Sequence, residues 1–122
     1  MTTLQQYNPP RQHPRVTPVA EVQGSVRGGV DVRVLNLSPG GALIEHAEPV
    51  APGGTRILFL RLHGQDLWLR AHVAWSQVHR RETKPPDAPR LIYRSGLHFR
   101  ELAPATELEL RRYLGLSLAP TA

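Results

Sequence analysis

Residues 66–75, Asp66-Leu67-Trp68-Leu69-Arg70-Ala71-His72-Val73-Ala74-Trp75, place Leu67, Leu69, Ala71, Val73 and Trp75 on one side of an extended chain, with Asp66, Arg70 and His72 on the other. A period of two sustained this long marks a strand with one face in a core and one in water. His63-Gly64-Gln65-Asp66 forms a turn joining it to the strand-like run Arg56 to Leu62, so a hairpin anchors the reading. Outward from this hairpin, Val16 to Val22 alternates, and Val30, Val32 and Val34 alternate with Asp31 and Arg33, with Gly24, Gly28 and Gly29 in the turn between. Ala42-Leu43-Ile44 makes a short strand after Gly40-Gly41, and Pro49 to Gly54 is a loop. His79 to Arg90, with Pro85-Pro86 and Pro89 among several charges, reads as a loop before a last strand that aligns Leu91, Tyr93, Leu97 and Phe99. Pro104 opens and Gly115 closes a short helix over Glu107 to Leu114, in which Glu107 and Arg111 stand at i, i+4. About six short strands and one terminal helix predict an all-β fold, a small antiparallel barrel whose open end the helix covers.

At 122 residues the chain fits one domain. Residues 1–10, polar and ending in Pro9-Pro10, read as a flexible lead-in, 11–116 as the domain and 117–122 as a flexible tail. The absence of cysteine excludes disulfides, thiolate metal sites and a cysteine nucleophile. No signal-peptide pattern opens the sequence, and the longest run of large apolar residues, Ile57 to Leu60, is far too short to span a bilayer. A cytoplasmic location without membrane insertion is expected. Fifteen basic against 10 acidic residues give a net +5, and all the basic residues except Lys84 are arginine, the better bidentate partner of phosphate and guanine.

Catalytic signatures are missing. His13, His46, His63, His72, His79 and His98 include no pair at metal-ligand spacing, so no metal is expected. Ser38 is not in a nucleophile elbow, and neither glycine pair leads into a phosphate-loop lysine, so neither a catalytic residue nor an enzyme is expected. Trp75, Tyr93 and Phe99 share strand faces with leucine and valine and are assigned to the core. Two segments remain. Arg11-Gln12-His13-Pro14-Arg15 offers two arginines that can close around an anion. Asn36-Leu37-Ser38-Pro39-Gly40-Gly41 ends a strand with two polar side chains of one parity and turns on glycines that permit close backbone approach.

An R-x-x-x-R segment, an [Asp/Asn]-x-Ser-x-x-Gly turn about 20 residues later, a long strand ending Val73-Ala74-Trp75, and Tyr93-Arg94-Ser95-Gly96-Leu97-His98-Phe99 together resemble the PilZ domain from Arg11 to about Leu114. The resemblance implies a six-stranded antiparallel split barrel with a C-terminal helix, found in bacteria. It also implies a non-enzymatic receptor or adaptor that binds the second messenger cyclic di-GMP. On this likeness Arg11 and Arg15 match the family's arginine pair, and Asn36, Ser38 and Gly41 its second motif, with Asn36 where aspartate is commoner. Cyclic di-GMP is then the ligand and no other cofactor is required. Binding reshapes the N-terminal segment, and an unidentified protein effector reads the change. Nucleic acid is disfavoured as a partner. Two other readings stay open: a small basic barrel that holds RNA or DNA through backbone charge, and a PilZ-like adaptor that has lost its ligand.

Overall fold

The computed structural model describes residues 22–62, 64–83 and 88–115. Six antiparallel strands, β1 (Val22–Val26), β2 (Val30–Ser38), β3 (Gly41–His46), β4 (Thr55–Leu62), β5 (Gln65–Glu82) and β6 (Arg90–Phe99), precede helix α1 (Pro104–Tyr113). They close into a barrel in the order β1-β2-β3-β6-β5-β4, with β4 returning to β1. Closure removes the exposed sheet edges, and the interior is filled by side chains. Leu58, Leu60 and Leu62 of β4 meet Leu67, Leu69, Ala71 and Val73 of β5 there, all buried. Helix α1 starts on a proline and ends before Gly115, whose φ of 72° suits the left-handed exit that glycine adopts without strain. Its Leu110 is fully buried against the barrel core, and Arg111 pairs with Glu107 at 3.2 Å.

The expected all-β barrel with a terminal helix is therefore what the chain forms, with several local differences. Gly24 lies inside β1 rather than in the turn, because a Cβ there would overlap the Phe59 carbonyl oxygen of β4. The β1–β2 turn is made by Arg27-Gly28-Gly29, with both glycines at positive φ. Gln65 and Asp66 pair with Leu62 and Arg61 as the start of β5. Within the expected loop His79 to Arg90, β5 continues to Glu82 and β6 begins at Arg90, the two forming a ribbon whose side chains are mostly in water and so show no apolar alternation. Ile92 is buried and Leu91 exposed. Of the expected first strand only Val22 lies within the described residues, and the lead-in, the tail and Lys84 to Asp87 lie outside them.

One carboxylate ties this ribbon to the barrel. Glu45 on β3 is almost fully buried and receives Arg33 of β2 at 2.7 Å, Arg80 of β5 at 2.9 Å and Arg94 of β6 at 3.2 Å. Burial pushes its pKa up, but the hydrogen bonds from Arg80, Arg33 and Arg94 outweigh that and hold it at about 2, against an ordinary 4.5. A carboxylate whose folded pKa is depressed adds stability that is complete above its unfolded value and fades as pH falls towards the folded one. Urea denaturation should therefore show this contribution disappearing between pH 4.5 and about 2. Glu45→Gln should lower stability at neutral pH by about 2 kcal/mol, the scale of a charged hydrogen bond. The variant should also lose less stability than the parent on acidification across that window, and an equal acid loss in both would show that Glu45 is not the group responsible.

Candidate functional site at the turn between strands two and three

Strict alternation from Val32 and Val34 would carry Asn36 and Ser38 into the barrel. Instead the β2–β3 register shifts between Val34 and Asn36, leaving Leu35 as the extra residue of a bulge. Leu37 then takes the core face, where it is fully buried, and Asn36 and Ser38 take the other. The bulge thus spares the core two polar groups that would be costly to desolvate there.

The turn that follows is fixed from three sides. The Gly40 N–H donates to Ser38 Oγ at 3.1 Å, and that hydroxyl lies 3.4 Å from the Gly41 carbonyl. The Phe99 N–H of β6 donates to the Gly40 carbonyl at 2.9 Å. Gly41 sits opposite His98, where a Cβ would overlap the Leu97 carbonyl oxygen. Ser38 and Gly41 therefore hold the turn in place and let β3 approach β6, while Asn36 is half-buried on the wall beside them.

Following the register around the barrel from Asn36 leads to Leu43, Gly96 and Trp75. A second register shift, between Val73 and Trp75, moves Trp75 out of the core, so this residue corrects the assignment made from period two alone. Its indole lies over Gly96, where a Cβ would strike the ring nitrogen, and 40% of its surface remains exposed. The parallel row runs Ser38, Gly41, His98, His72. Tyr93 is half-buried and stacks on His46, with ring centroids 5.8 Å apart, and Phe99 packs against the core as expected. The clue to Trp75 in the sequence was Gly96, a residue without a side chain that leaves a shelf for a flat ring, but only the register brings the two together. Arg11 and Arg15 lie outside the described residues.

Four arginines of this side are committed to carboxylates. Arg33, Arg80 and Arg94 converge on Glu45, and Arg90 binds Glu82 at 2.9 Å, so the cleft that Arg33, Arg80 and Arg90 line has its guanidiniums already on carboxylates. His46 Nε2 lies 2.7 Å from Ser95 Oγ, the spacing of a base and its nucleophile. Both residues are buried, however, and His46 Nδ1 is 2.6 Å from the Glu48 carbonyl, to which its N–H donates. Burial lowers the imidazole's pKa, which fits a neutral ring that accepts the Ser95 proton. With Ser76 Oγ of β5 2.9 Å from Ser95 Oγ, the group is a polar tie across β3, β6 and β5. Among the described residues no three histidine or acidic side chains converge as metal ligands, and no helix is long and apolar enough to cross a membrane.

Known structures share this architecture. The PilZ domain of YcgR from Escherichia coli, solved with c-di-GMP, superposes with a TM-score of 0.63 at 18% identity, over 87% of this chain and 90% of that one. The Bacillus subtilis inhibitor of motility MotI/DgrA gives 0.60 at 21% identity, over 84% of this chain and 48% of that one. MrkH, a c-di-GMP-dependent transcription regulatory factor, gives 0.60 at 14% identity, over 86% and 49%. No curated protein matches in sequence. The PilZ domain family model matches residues 9–116, a span that takes in the arginine pair, the turn and the whole barrel, and the chain belongs to the PilZ domain family.

Proposed function

We propose that this protein is a non-enzymatic receptor for cyclic di-GMP, acting in the cytoplasm, whose N-terminal segment changes conformation on binding and signals to a protein effector. The observation that carries the reading is the row Asn36, Leu43, Gly96, Trp75 beside the Ser38–Gly41 turn. A guanine needs a hydrogen-bonding partner for its edge and a flat apolar surface for its face. Asn36 offers an amide for the first and Trp75 an exposed indole for the second. The two phosphates need cations, and the wall's own arginines are committed to Glu45 and Glu82. Arg11 and Arg15 supply them in this reading.

Chain direction supports that assignment. Strand β1 opens at Val22 opposite Val34 and runs antiparallel to β2, so the chain enters β1 from the side on which Asn36 and Ser38 lie. YcgR, solved with c-di-GMP, and MrkH, a c-di-GMP-dependent transcription regulatory factor, have the same fold. The five motif residues then divide their work: Arg11 and Arg15 meet phosphate or guanine, Asn36 meets a guanine edge, and Ser38 and Gly41 keep the turn in shape.

Calorimetric titration tests this directly. Cyclic di-GMP should bind, and GMP and cyclic di-AMP should not, since guanine edges and two phosphates must be met together; equal binding of cyclic di-AMP would overturn the reading. Trp75→Ala should weaken binding about tenfold through lost stacking. Arg11→Ala and Arg15→Ala should each do so by about tenfold or more through lost charge-assisted contacts, with the melting temperature of the free protein unchanged. Asn36→Asp should tighten binding modestly, because an ionised acceptor makes the stronger hydrogen bond to guanine N–H groups.

A further inference from the structure

Trp68 exposes 61% of its surface, an unusual state for the largest apolar side chain. It stands on the outer wall of β4 and β5; β4 is three strands from β3 whichever way the barrel is followed, while β5 is two away and carries His72 and Trp75 further along its length. Leu58 and Leu60 of β4 and Leu67 and Leu69 of β5 fill the core, which leaves Phe59 and Trp68, partners in register, both facing out. Their ring centroids are 5.2 Å apart and the planes are tilted by 54°.

Cations bracket this aromatic pair along the strands. On one side Arg61 opposes Asp66, and on the other Ile57 opposes Arg70. The second row extends both ways: the Arg27 N–H donates to the Ile57 carbonyl at 2.9 Å, and the Arg100 N–H donates to the Arg70 carbonyl at 2.8 Å. Arg27, Arg70 and Arg100 thus lie in a line across the wall, with Phe59 and Trp68 between that line and Arg61. All four arginines are exposed. Arg61 pairs with Asp66 at 2.7 Å and Arg70 with Glu101 at 3.0 Å, but both pairs are open to water. Exposed pairs of this kind contribute little to stability, so a phosphate can replace either carboxylate at small cost.

An aromatic pair flanked on both sides by guanidiniums matches a polymer that alternates flat bases with anionic links. We propose that this wall binds single-stranded nucleic acid, with bases stacking on Trp68 and Phe59 and the backbone running over Arg61 on one side and Arg27, Arg70 and Arg100 on the other. The chain's net +5 steers a polyanion towards it. An acidic protein would use the guanidiniums without needing an exposed indole, and one tryptophan on a wall buries too little apolar area to hold a membrane surface. The inference does not depend on the second-messenger reading, since neither Trp68 nor Phe59 belongs to the Asn36–Trp75 row.

The test is fluorescence anisotropy of labelled short oligothymidylate and oligouridylate, titrated with the full chain at low and at physiological salt. Binding should weaken linearly in log[salt], with a slope reporting about two to four phosphates. Trp68→Ala should weaken it about tenfold, whereas Trp68→Phe, which keeps a stacking face, should retain most of it. Arg61→Gln and Arg70→Gln should each lower the slope by about one. Cyclic di-GMP binding should be unchanged in Trp68→Ala, which separates failure of this proposal from failure of the other. In a Trp75→Phe background Trp68 is the sole tryptophan, and the oligonucleotides should quench it while polyglutamate of equal charge does not. No binding at low salt, or binding indifferent to Trp68→Ala, would overturn the proposal. So would polyglutamate that binds and quenches equally well, an outcome that would make acidic protein the ligand of this wall.

Discussion

In a closed barrel each strand must hand alternate residues to a core without water, and in this protein register shifts decide which residues those are. Leu35 on β2, and Ala74 and His79 on β5, are the extra residues at three shifts. Each reverses the alternation beyond it, because the side-chain period is two and a slip of one residue exchanges the faces. The shift at Leu35 keeps Val32, Val34 and Leu37 in the core and puts Asn36 and Ser38 on the other face, with Ser38 buried in its turn. The shift at Ala74 keeps Val73 inside and sends Trp75 out. The proposed guanine site is therefore a product of the two bulges acting on strands separated by β3 and β6. Bulges also bend and twist the strand that carries them, which suits β5 to leave the barrel and continue as a ribbon.

Charge is distributed with comparable consequences. Fifteen cationic residues would suggest an anion site almost anywhere on the surface. Yet Glu45 alone gathers three of them, from three different strands, and Glu82 takes Arg90. Burial of Glu45 makes its three contacts stronger than those of the exposed pairs and gives them a structural role, holding the ribbon against β2 and β3. Beside these arginines that wall carries an amide, a serine-pinned turn, two histidines and an indole, a surface that in the proposed reading suits a base more than a phosphate. The β4–β5 wall shows the reverse balance, with its aromatic pair between arginines whose ion pairs are open to water. The two walls thus differ in what they can recognise, although both are built from the same alternation of leucine inside and polar residues outside.

The sequence by itself determined the architecture. Alternation in residues 56–62 and 67–73, glycine turns, and a helix delimited by Pro104 and Gly115 are local signals, and local backbone preference with one buried face was enough to predict six strands and a helix. The spacing of Asn36, Ser38 and Gly41 was legible too, since a polar turn on two glycines is written in consecutive residues. Tertiary structure decided everything that depends on pairing between distant strands. Trp75 read as core because period two holds only until a bulge, and a bulge is set by the partner strand. Residues 79–82 read as loop because a solvated ribbon has no apolar face to display in the sequence, its order coming from hydrogen bonds to β6. Gly24 read as a turn residue, whereas its place is fixed by the close approach of β4. Glu45 gave no signal, since a single acid among many charges gains its meaning only when β2, β5 and β6 bring Arg33, Arg80 and Arg94 to it. Side-chain chemistry is local and can be read along the chain, while register is a relation between strands far apart in sequence, settled by which arrangement buries the apolar residues and leaves no polar group unpaired.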